Sequence, residues 1–106
     1  MTTPAGEPSV VDVPDESRFV LEDPAGVSEL VYDLEDGRIV IVHTGVPDAI
    51  GGRGLGSRLV QAAVRRAARE HLTVVPWCPF ARSWLREHPE ETGGITIDWK
   101  SRPPAA

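Results

Sequence analysis

The chain has 106 residues, which is enough for one compact domain and too few for two. Its formal net charge of −5 argues against general binding to nucleic acid or to an anionic membrane surface, and its single cysteine, Cys78, excludes an internal disulfide framework. The lone thiol, the absence of a signal-like N-terminal segment and the absence of an apolar run near the roughly 18 residues of a membrane span predict a cytoplasmic protein.

The charge is divided unevenly along the chain. Residues 1–52 hold 11 acidic and 2 basic residues, whereas residues 53–106 hold 5 acidic and 9 basic residues, of which Lys100 is the only lysine. Arginine binds phosphate well because its planar guanidinium group can donate hydrogen bonds to two oxygens. A solvent-exposed helix face without any ligand would have the same composition. The acidic half could likewise attract a basic amine or a Lys-rich peptide, or simply face solvent.

The N-terminal segment, residues 1–17, is rich in Pro, Asp, Glu and Ser and is predicted to be a mobile arm. Within it, Val10 to Val13 could pair as a short strand. Arg18 to Glu22 is a short strand candidate, and the composition of Asp23 to Gly26 predicts a turn after it.

The next segments read as an antiparallel meander. Val27 to Leu34 is a predicted strand, and the Asp36-Gly37 pair after it is a hairpin signal. Arg38 to Thr44 is a nearly continuous β-branched run, as expected for a central strand that is buried on both faces.

The period of the pattern then changes from strand to helix. Apolar residues recur at helical spacing from Leu55 to about Glu70, and Leu72 to Pro76 reads as a short buried strand. The order strand, loop, helix, strand predicts a βαβ unit, so this strand should run parallel to the one that ends at Thr44.

A second helix is predicted to begin at Pro79, with Phe80, Trp84 and His88 at positions i, i+4 and i+8. Ile95 to Trp99 is a candidate final strand. The predicted organisation is an N-terminal arm (residues 1–17), one domain (residues 18–99) and a tail (residues 100–106), with no internal repeat.

The loop from Ile50 to Leu59 reads IGGRGLGSRL and leads directly into the first helix. Glycines at a helix N-terminus let backbone N–H groups approach an anion, and the helix dipole adds about half a positive charge there. Arg53 and Arg58 could add side-chain charge. The loop is therefore a candidate phosphate cradle, although a merely flexible turn would have the same composition.

The loop does not match any of three common phosphate-binding motifs, because each motif requires a residue or a flanking element that is missing here. A Walker A loop needs a lysine, which is missing here. A Rossmann fingerprint needs a third glycine where Ser57 or Leu59 stands, depending on the starting glycine, and a kinase loop needs strands on both sides.

The order strand, Val-Pro, Gly-x-Gly-x-Gly, helix, strand resembles the acyl-CoA binding core of the GNAT superfamily of N-acetyltransferases. The family motif is Arg or Gln, two residues, Gly, one residue, then Gly or Ala. Gly54 and Gly56 match its two small positions, whereas Gly51 stands where the Arg or Gln is expected.

A narrower resemblance is to the small single-domain GNAT-like proteins, and it covers roughly residues 18–90. It is carried by His43-Thr44-Gly45-Val46-Pro47, by Val75-Pro76-Trp77-Cys78-Pro79-Phe80, by Trp84 and by His88-Pro89-Glu90. The resemblance implies a minimal α+β acyl-CoA N-acyltransferase fold, in which an antiparallel meander leads into a βαβ unit and a C-terminal helix. In the superfamily the central strand splays from its parallel neighbour and the pantetheine of the cofactor slips between them.

The resemblance implies acetyl-CoA as co-substrate, an unidentified amine as acceptor, and no metal. The residues that it places at the cofactor are Thr44, Gly45, Val46, Gly51, Gly52, Arg53, Gly54, Leu55, Gly56, Ser57, Cys78 and Phe80. We expect the acceptor to be a small molecule or a basic peptide and the protein to be a monomer or weak dimer, with neither nucleic acid nor membrane as a partner.

Two residues are candidates for catalysis. Cys78 lies just after the parallel strand, next to a helix N-terminus whose dipole favours a thiolate, and it could accept the acetyl group or simply line the pocket. His43 ends a buried strand and is the nearest titratable group to the site, although structural burial in the core is its more common role. Trp77, Phe80 and Trp84 are more typical of a core than of ligand contacts.

The sequence also departs from the family at two catalytic positions. Gly45 stands where many members carry a Glu base, and Trp84 stands where many carry a Tyr general acid, for which an indole cannot substitute. These departures leave three functions open: an N-acetyltransferase with an open acceptor site, a non-enzymatic acetyl-CoA or CoA binding module, and a protein-interaction domain.

The remaining histidines are interpreted as features of helix ends. They are His71, and His88 together with Glu90.

Overall fold

A computed structural model describes residues 9–48, 51 and 54–104. It contains a six-stranded sheet with the strand order β1-β2-β3-β4-β5-β6 and two α-helices. The elements are β1 (Val10–Val13), β2 (Arg18–Asp23), β3 (Gly26–Glu35), β4 (Arg38–Gly45), α1 (Leu55–Glu70), β5 (Thr73–Pro76), α2 (Pro79–Glu87) and β6 (Thr96–Ile97).

The predicted meander and βαβ unit are both confirmed. Strands β1 to β4 pair antiparallel, and β5 runs parallel to β4. The hairpin between β3 and β4 turns at Asp36 and Gly37, whose φ angles of 46° and 75° are the left-handed conformations that a two-residue hairpin requires. The predicted final strand is shorter than expected and consists of Thr96 and Ile97, paired parallel to β5.

The prediction of a mobile arm over residues 1–17 is wrong for residues 10–17. Residues 10–13 form β1 at the edge of the sheet, and a short 3₁₀ turn leads from them into β2. The reason is a long-range contact that composition does not reveal: Asp12 accepts a hydrogen bond from the hydroxyl of Tyr32 at 2.6 Å and pairs with Arg66 at 2.9 Å. This cluster ties β1 to β3 and α1.

The core lies on one face of the sheet, under both helices. Helix α1 buries its apolar stripe, which includes Leu59, Val60, Ala63 and Ala67, against strand residues such as Leu30 and Ile41. The same spacing that predicted the helix therefore also sets which face it buries. No helix among the described residues is long and apolar enough to cross a membrane.

A β-bulge in β4 decides which side chains reach the site. Tyr32 pairs with Ile41 but Val31 pairs with His43, so Val42 is the extra residue. Beyond the bulge, Thr44 pairs with the buried Leu30 and shares the core face with it. His43 instead lies on the outer face and is exposed. The expectation that His43 is a core residue is therefore wrong, because the bulge shifts the alternation by one position.

Candidate functional site

Strands β4 and β5 separate at their carboxyl ends. The last pair in the ladder is Ile41 with Pro76, and the carbonyl of Ile41 accepts hydrogen bonds from the N–H groups of both Trp77 and Cys78, at 3.1 and 3.0 Å. Pro76 has no N–H to offer the ladder, and Pro79 begins α2 only three residues later. Because β4 continues to Gly45, a gap opens between the two segments.

A cavity of about 340 Å³ occupies the region between the end of β4 and the start of α1. It is lined by Thr44, Val46, Gly51, Gly54, Leu55, Gly56, Ser57 and Phe80. All of these residues belong to the set that the sequence placed at the cofactor. Gly45 and Cys78, from the same set, do not line the cavity, and Gly52 and Arg53 lie outside the described residues.

The N-terminus of α1 forms one wall of the cavity. Gly54 is the N-cap with φ 73°, a left-handed conformation, and its carbonyl accepts the N–H of Arg58 at 3.2 Å. The N–H groups of the first helical turn have no acceptor within a helix, and here they belong to residues that line the cavity, Leu55 to Ser57. A Cβ at Gly54 would meet nothing within 4 Å, so glycine is needed there for its backbone angle.

Gly56 is needed for a different reason, which is close packing. An ideal Cβ at this position would lie 2.8 Å from Cζ of Phe80, so the ring can cover the helix only because no side chain stands there. Phe80 is 44% exposed and lines the cavity beside Gly56. The expectation that Phe80 is a core residue is therefore wrong, whereas its place at the cofactor site agrees with the cavity.

Cys78 lies just behind the cavity wall. It is the N-cap of α2, is only 4% exposed, and its thiol is 3.5 Å from Oγ1 of Thr44, to which it donates a hydrogen bond. Thr44 lines the cavity and Cys78 does not. The thiol therefore contacts the site through the threonine hydroxyl.

His43 lies on the other side of the sheet from Cys78. Its ring extends over Gly45, where a Cβ would be 3.1 Å from Nε2. His43 lies two residues beyond Ile41, the last residue of β4 that pairs with β5, and is therefore on the outer face of the segment that borders the gap. The two catalytic candidates are thus not in contact, and they approach the gap from opposite faces.

The aromatic residue that replaces the family's tyrosine is part of the core. Trp84 is buried, and its Nε1 has no hydrogen-bond partner among the described residues. Its ring stacks on His88 at 4.2 Å, and Nδ1 of His88 lies 2.8 Å from the carbonyl of Trp84. The interpretation of His88 as part of a helix end is confirmed. Trp77 is half-buried and donates from Nε1 to Ser101.

The described residues that line the cavity carry no ionisable side chain. Its walls carry hydroxyl, aromatic, aliphatic and backbone groups, and they include no carboxylate or imidazole among the described residues. In the same part of the chain, no group of three or more His, Cys, Asp and Glu residues could hold a metal ion. The arrangement suits a neutral acyl chain and an anion at the helix N-terminus.

A family model for GCN5-related N-acetyltransferases matches residues 18–93. The chain belongs to this family. A solution structure from Staphylococcus aureus, of a GCN5-like candidate N-acetyltransferase, superposes with a TM-score of 0.65 at 26% identity, over 87% of this chain and 92% of that one. The superposition supports the GNAT-like α+β fold.

Curated relatives of this GNAT-family chain include Protein NATD1 from human and from chicken, each 36% identical over 61 residues. The match covers 57% of this chain, 54% of the human protein and 56% of the chicken protein. The chain thus spans about half the length of the curated relatives that it matches.

Proposed function

We propose that this protein is an acetyl-CoA-dependent N-acetyltransferase with an open acceptor site. The observation that carries the proposal is the cavity between the diverging end of β4 and the N-terminus of α1, lined by Thr44, Val46 and the residues of the Gly-rich loop. Membership of the GCN5-related family supports acetyl transfer as the reaction class.

The first turn of α1 would hold the pyrophosphate of acetyl-CoA. Leu55, Gly56 and Ser57 supply backbone N–H groups at the positive end of a 16-residue helix. The pantetheine would then pass between the end of β4 and Phe80, where the walls are largely apolar. The thioester would reach the gap beyond Ile41, where β4 and β5 no longer pair.

Transfer would be direct. The nitrogen of the acceptor amine attacks the acetyl carbon, the carbon–sulfur bond breaks, and CoA leaves with the electron pair of that bond. His43, at the outer edge of the gap, would accept the proton that the amine nitrogen loses, and the released thiolate is protonated from solvent. Cys78 would act through its hydrogen bond to Thr44, as a positioning residue.

A second candidate function is a binding module that holds acetyl-CoA or CoA without transferring the acetyl group. It is favoured by the buried Trp84, which stands where the resemblance expects a tyrosine acid, and by the cavity lining, which includes neither Cys78 nor His43. The two functions agree on the ligand and differ only in whether a product forms.

The test is to incubate the protein with acetyl-CoA and a panel of amines, including a polyamine, an amino acid and a Lys-containing peptide. Free CoA and acetylated amine are measured by liquid chromatography with mass detection, because a thiol reagent would also react with Cys78. Equal amounts of both products support the transferase. Binding of acetyl-CoA without either product leaves the binding module, and no binding contradicts both functions.

A further inference from the structure

A second groove lies between β1 and α1 and has a volume of about 410 Å³. Its apolar lining consists of Val10, Phe19 and Ala62. Three arginines of α1, Arg58, Arg65 and Arg69, line the same groove. The sequence does not reveal this groove, because it forms only when the possible strand at Val10 to Val13 pairs at the edge of the sheet beside α1.

This groove is separate from the acetyl-CoA cavity. Each residue of an α-helix advances about 100° around the axis, so Arg58 lies about 200° from Gly56. Gly56 faces Phe80, whereas Arg58 faces the groove beside β1. The two concave surfaces therefore flank opposite sides of α1 and can be occupied independently.

Two of the three arginines of the groove carry positive charge that no described residue neutralises. Arg65 and Arg69 are exposed and make no hydrogen bond or ion pair within the described ranges. The acidic residue of the groove, Asp12, is already engaged by Tyr32 and by Arg66. On a chain with a net charge of −5, Arg65 and Arg69 form a local cationic surface that has no counterpart among the described residues.

Strand β1 supplies the second part of the surface. It is the outermost strand of the sheet, and only β2 pairs with it among the residues that the structure describes. An edge strand offers backbone N–H and C=O groups to an added strand. Arg58 to Arg69 spans 11 residues of helix, about 16 Å, which is the length of about five residues in an extended peptide.

We propose that this groove binds an extended acidic peptide segment of a partner protein, which pairs with the edge of β1 as a seventh strand. Alternate side chains of an added strand point to the helix face, where acidic ones would meet Arg65 and Arg69. Nucleic acid fits this surface less well, because it has no peptide backbone that could pair with a strand edge. The inference is independent of the proposed acetyl transfer.

The probe is a fluorescein-labelled peptide of nine residues that alternates Glu with Thr, capped at both ends, and anisotropy reports its binding. The controls are the same peptide with Gln in place of Glu and a labelled DNA duplex. R65Q/R69Q is compared with R86Q/K100Q, which removes two positive charges elsewhere. Amide hydrogen exchange of residues 10–13 is measured with and without the peptide.

We expect the Glu peptide to bind and the Gln peptide to bind at least about fivefold more weakly. R65Q/R69Q should raise the dissociation constant of the Glu peptide by about four- to twentyfold. R86Q/K100Q should bind the Glu peptide with nearly the dissociation constant of the parent. Peptide binding should also slow amide exchange in β1. The proposal is overturned if the Glu peptide does not bind, if R65Q/R69Q binds as the parent does, if β1 amides gain no protection, or if the duplex binds more tightly than the peptide.

Discussion

The thiol of Cys78 donates a hydrogen bond to the hydroxyl of Thr44 across a sulfur–oxygen distance of 3.5 Å. The contact joins the N-cap of α2 to the end of β4, and thus bridges the two segments whose divergence opens the site. Only Thr44 lines the cavity. This geometry supports the proposal that Cys78 positions a wall of the site and does not attack the thioester.

Substitution of Cys78 by serine or by alanine distinguishes the positioning role from the nucleophilic role. C78S keeps a donor for Thr44, and we expect near-parent transfer, whereas C78A should lower transfer only about two- to fivefold, the cost of one hydrogen bond. Initial rates of product formation measure both variants, and intact-protein mass measures acetylation of the parent. Loss of transfer in both variants, together with an acetylated parent protein, would identify Cys78 as a nucleophile instead.

His43 is expected to matter for turnover and not for binding. H43Q removes the proposed proton acceptor, and general-base catalysis is typically worth a hundredfold or more, so kcat should fall by about 100-fold. The dissociation constant of acetyl-CoA, measured by calorimetry, should stay within about twofold, because His43 is on the face opposite to the cavity. H71N is the matched control, since asparagine tolerates the left-handed backbone of His71 at φ 58°. An unchanged kcat in H43Q would remove His43 from the mechanism.

Gly56 and Phe80 should behave as a coupled pair. G56A places a Cβ against the ring and should destabilise the fold by about 1 kcal/mol, at the low end of the usual range for overpacking because Phe80 is partly exposed. It should also weaken acetyl-CoA binding, since the displaced ring enters the cavity. In G56A/F80A the clash is absent, so a double-mutant cycle of unfolding free energies should show a favourable coupling. Additive effects would mean that the ring and the glycine do not touch.

Arg66 is expected to be the most important charged residue for stability. Its side chain is 9% exposed, and it binds Asp12, Glu70 at 2.8 Å and the hydroxyl of Tyr32 at 2.7 Å. R66A leaves these groups without their shared cation, so we expect the free energy of unfolding, measured by urea denaturation, to fall by about 3 kcal/mol. R65A, on the adjacent exposed position, should change the unfolding free energy by less than about 0.5 kcal/mol. Similar losses in both variants would contradict the buried cluster.

The same cluster predicts how stability depends on alkaline pH. Burial, and then the hydrogen bond to Asp12, raises the pKa of Tyr32 from 10.0 to about 12. Between these two values the unfolded chain has lost the phenolic proton that the folded chain still holds, so the unfolding free energy must fall as pH rises from 10 to 12. Below pH 10 this residue adds no pH dependence.

Y32F isolates that contribution. The unfolding free energies of the parent and Y32F are compared by urea denaturation at several pH values between 9 and 12. The parent should lose stability more steeply than Y32F over this interval. Parallel curves would show that the hydroxyl of Tyr32 titrates normally.

Most of the fold could be predicted because local pattern and packing agree. The β-branched run of β4, the Asp36-Gly37 turn and the apolar stripe of α1 each specify one structure, and the bounds of α1 were predicted to the residue. The cavity lining followed from the resemblance, since all of its residues lie in the motifs that carry it.

What the sequence could not predict depends on contacts between distant residues. Residues 10–13 look like a disordered arm by composition, and they are ordered through Asp12, whose partner Arg66 is 54 positions away. The outward position of His43 follows from a bulge at Val42, which exists only in the pairing of β4 with β3. No property of residues 38–44 alone reveals that extra residue.

The central claim is that the cavity at the start of α1 binds acetyl-CoA. The most direct measurement is a titration of the ¹⁵N-labelled protein with acetyl-CoA, followed by amide chemical shifts. We expect saturable shifts that are largest at Thr44, Val46 and residues 54–57, with little change at β1. Absence of shifts, or shifts centred on another face of the sheet, would contradict it.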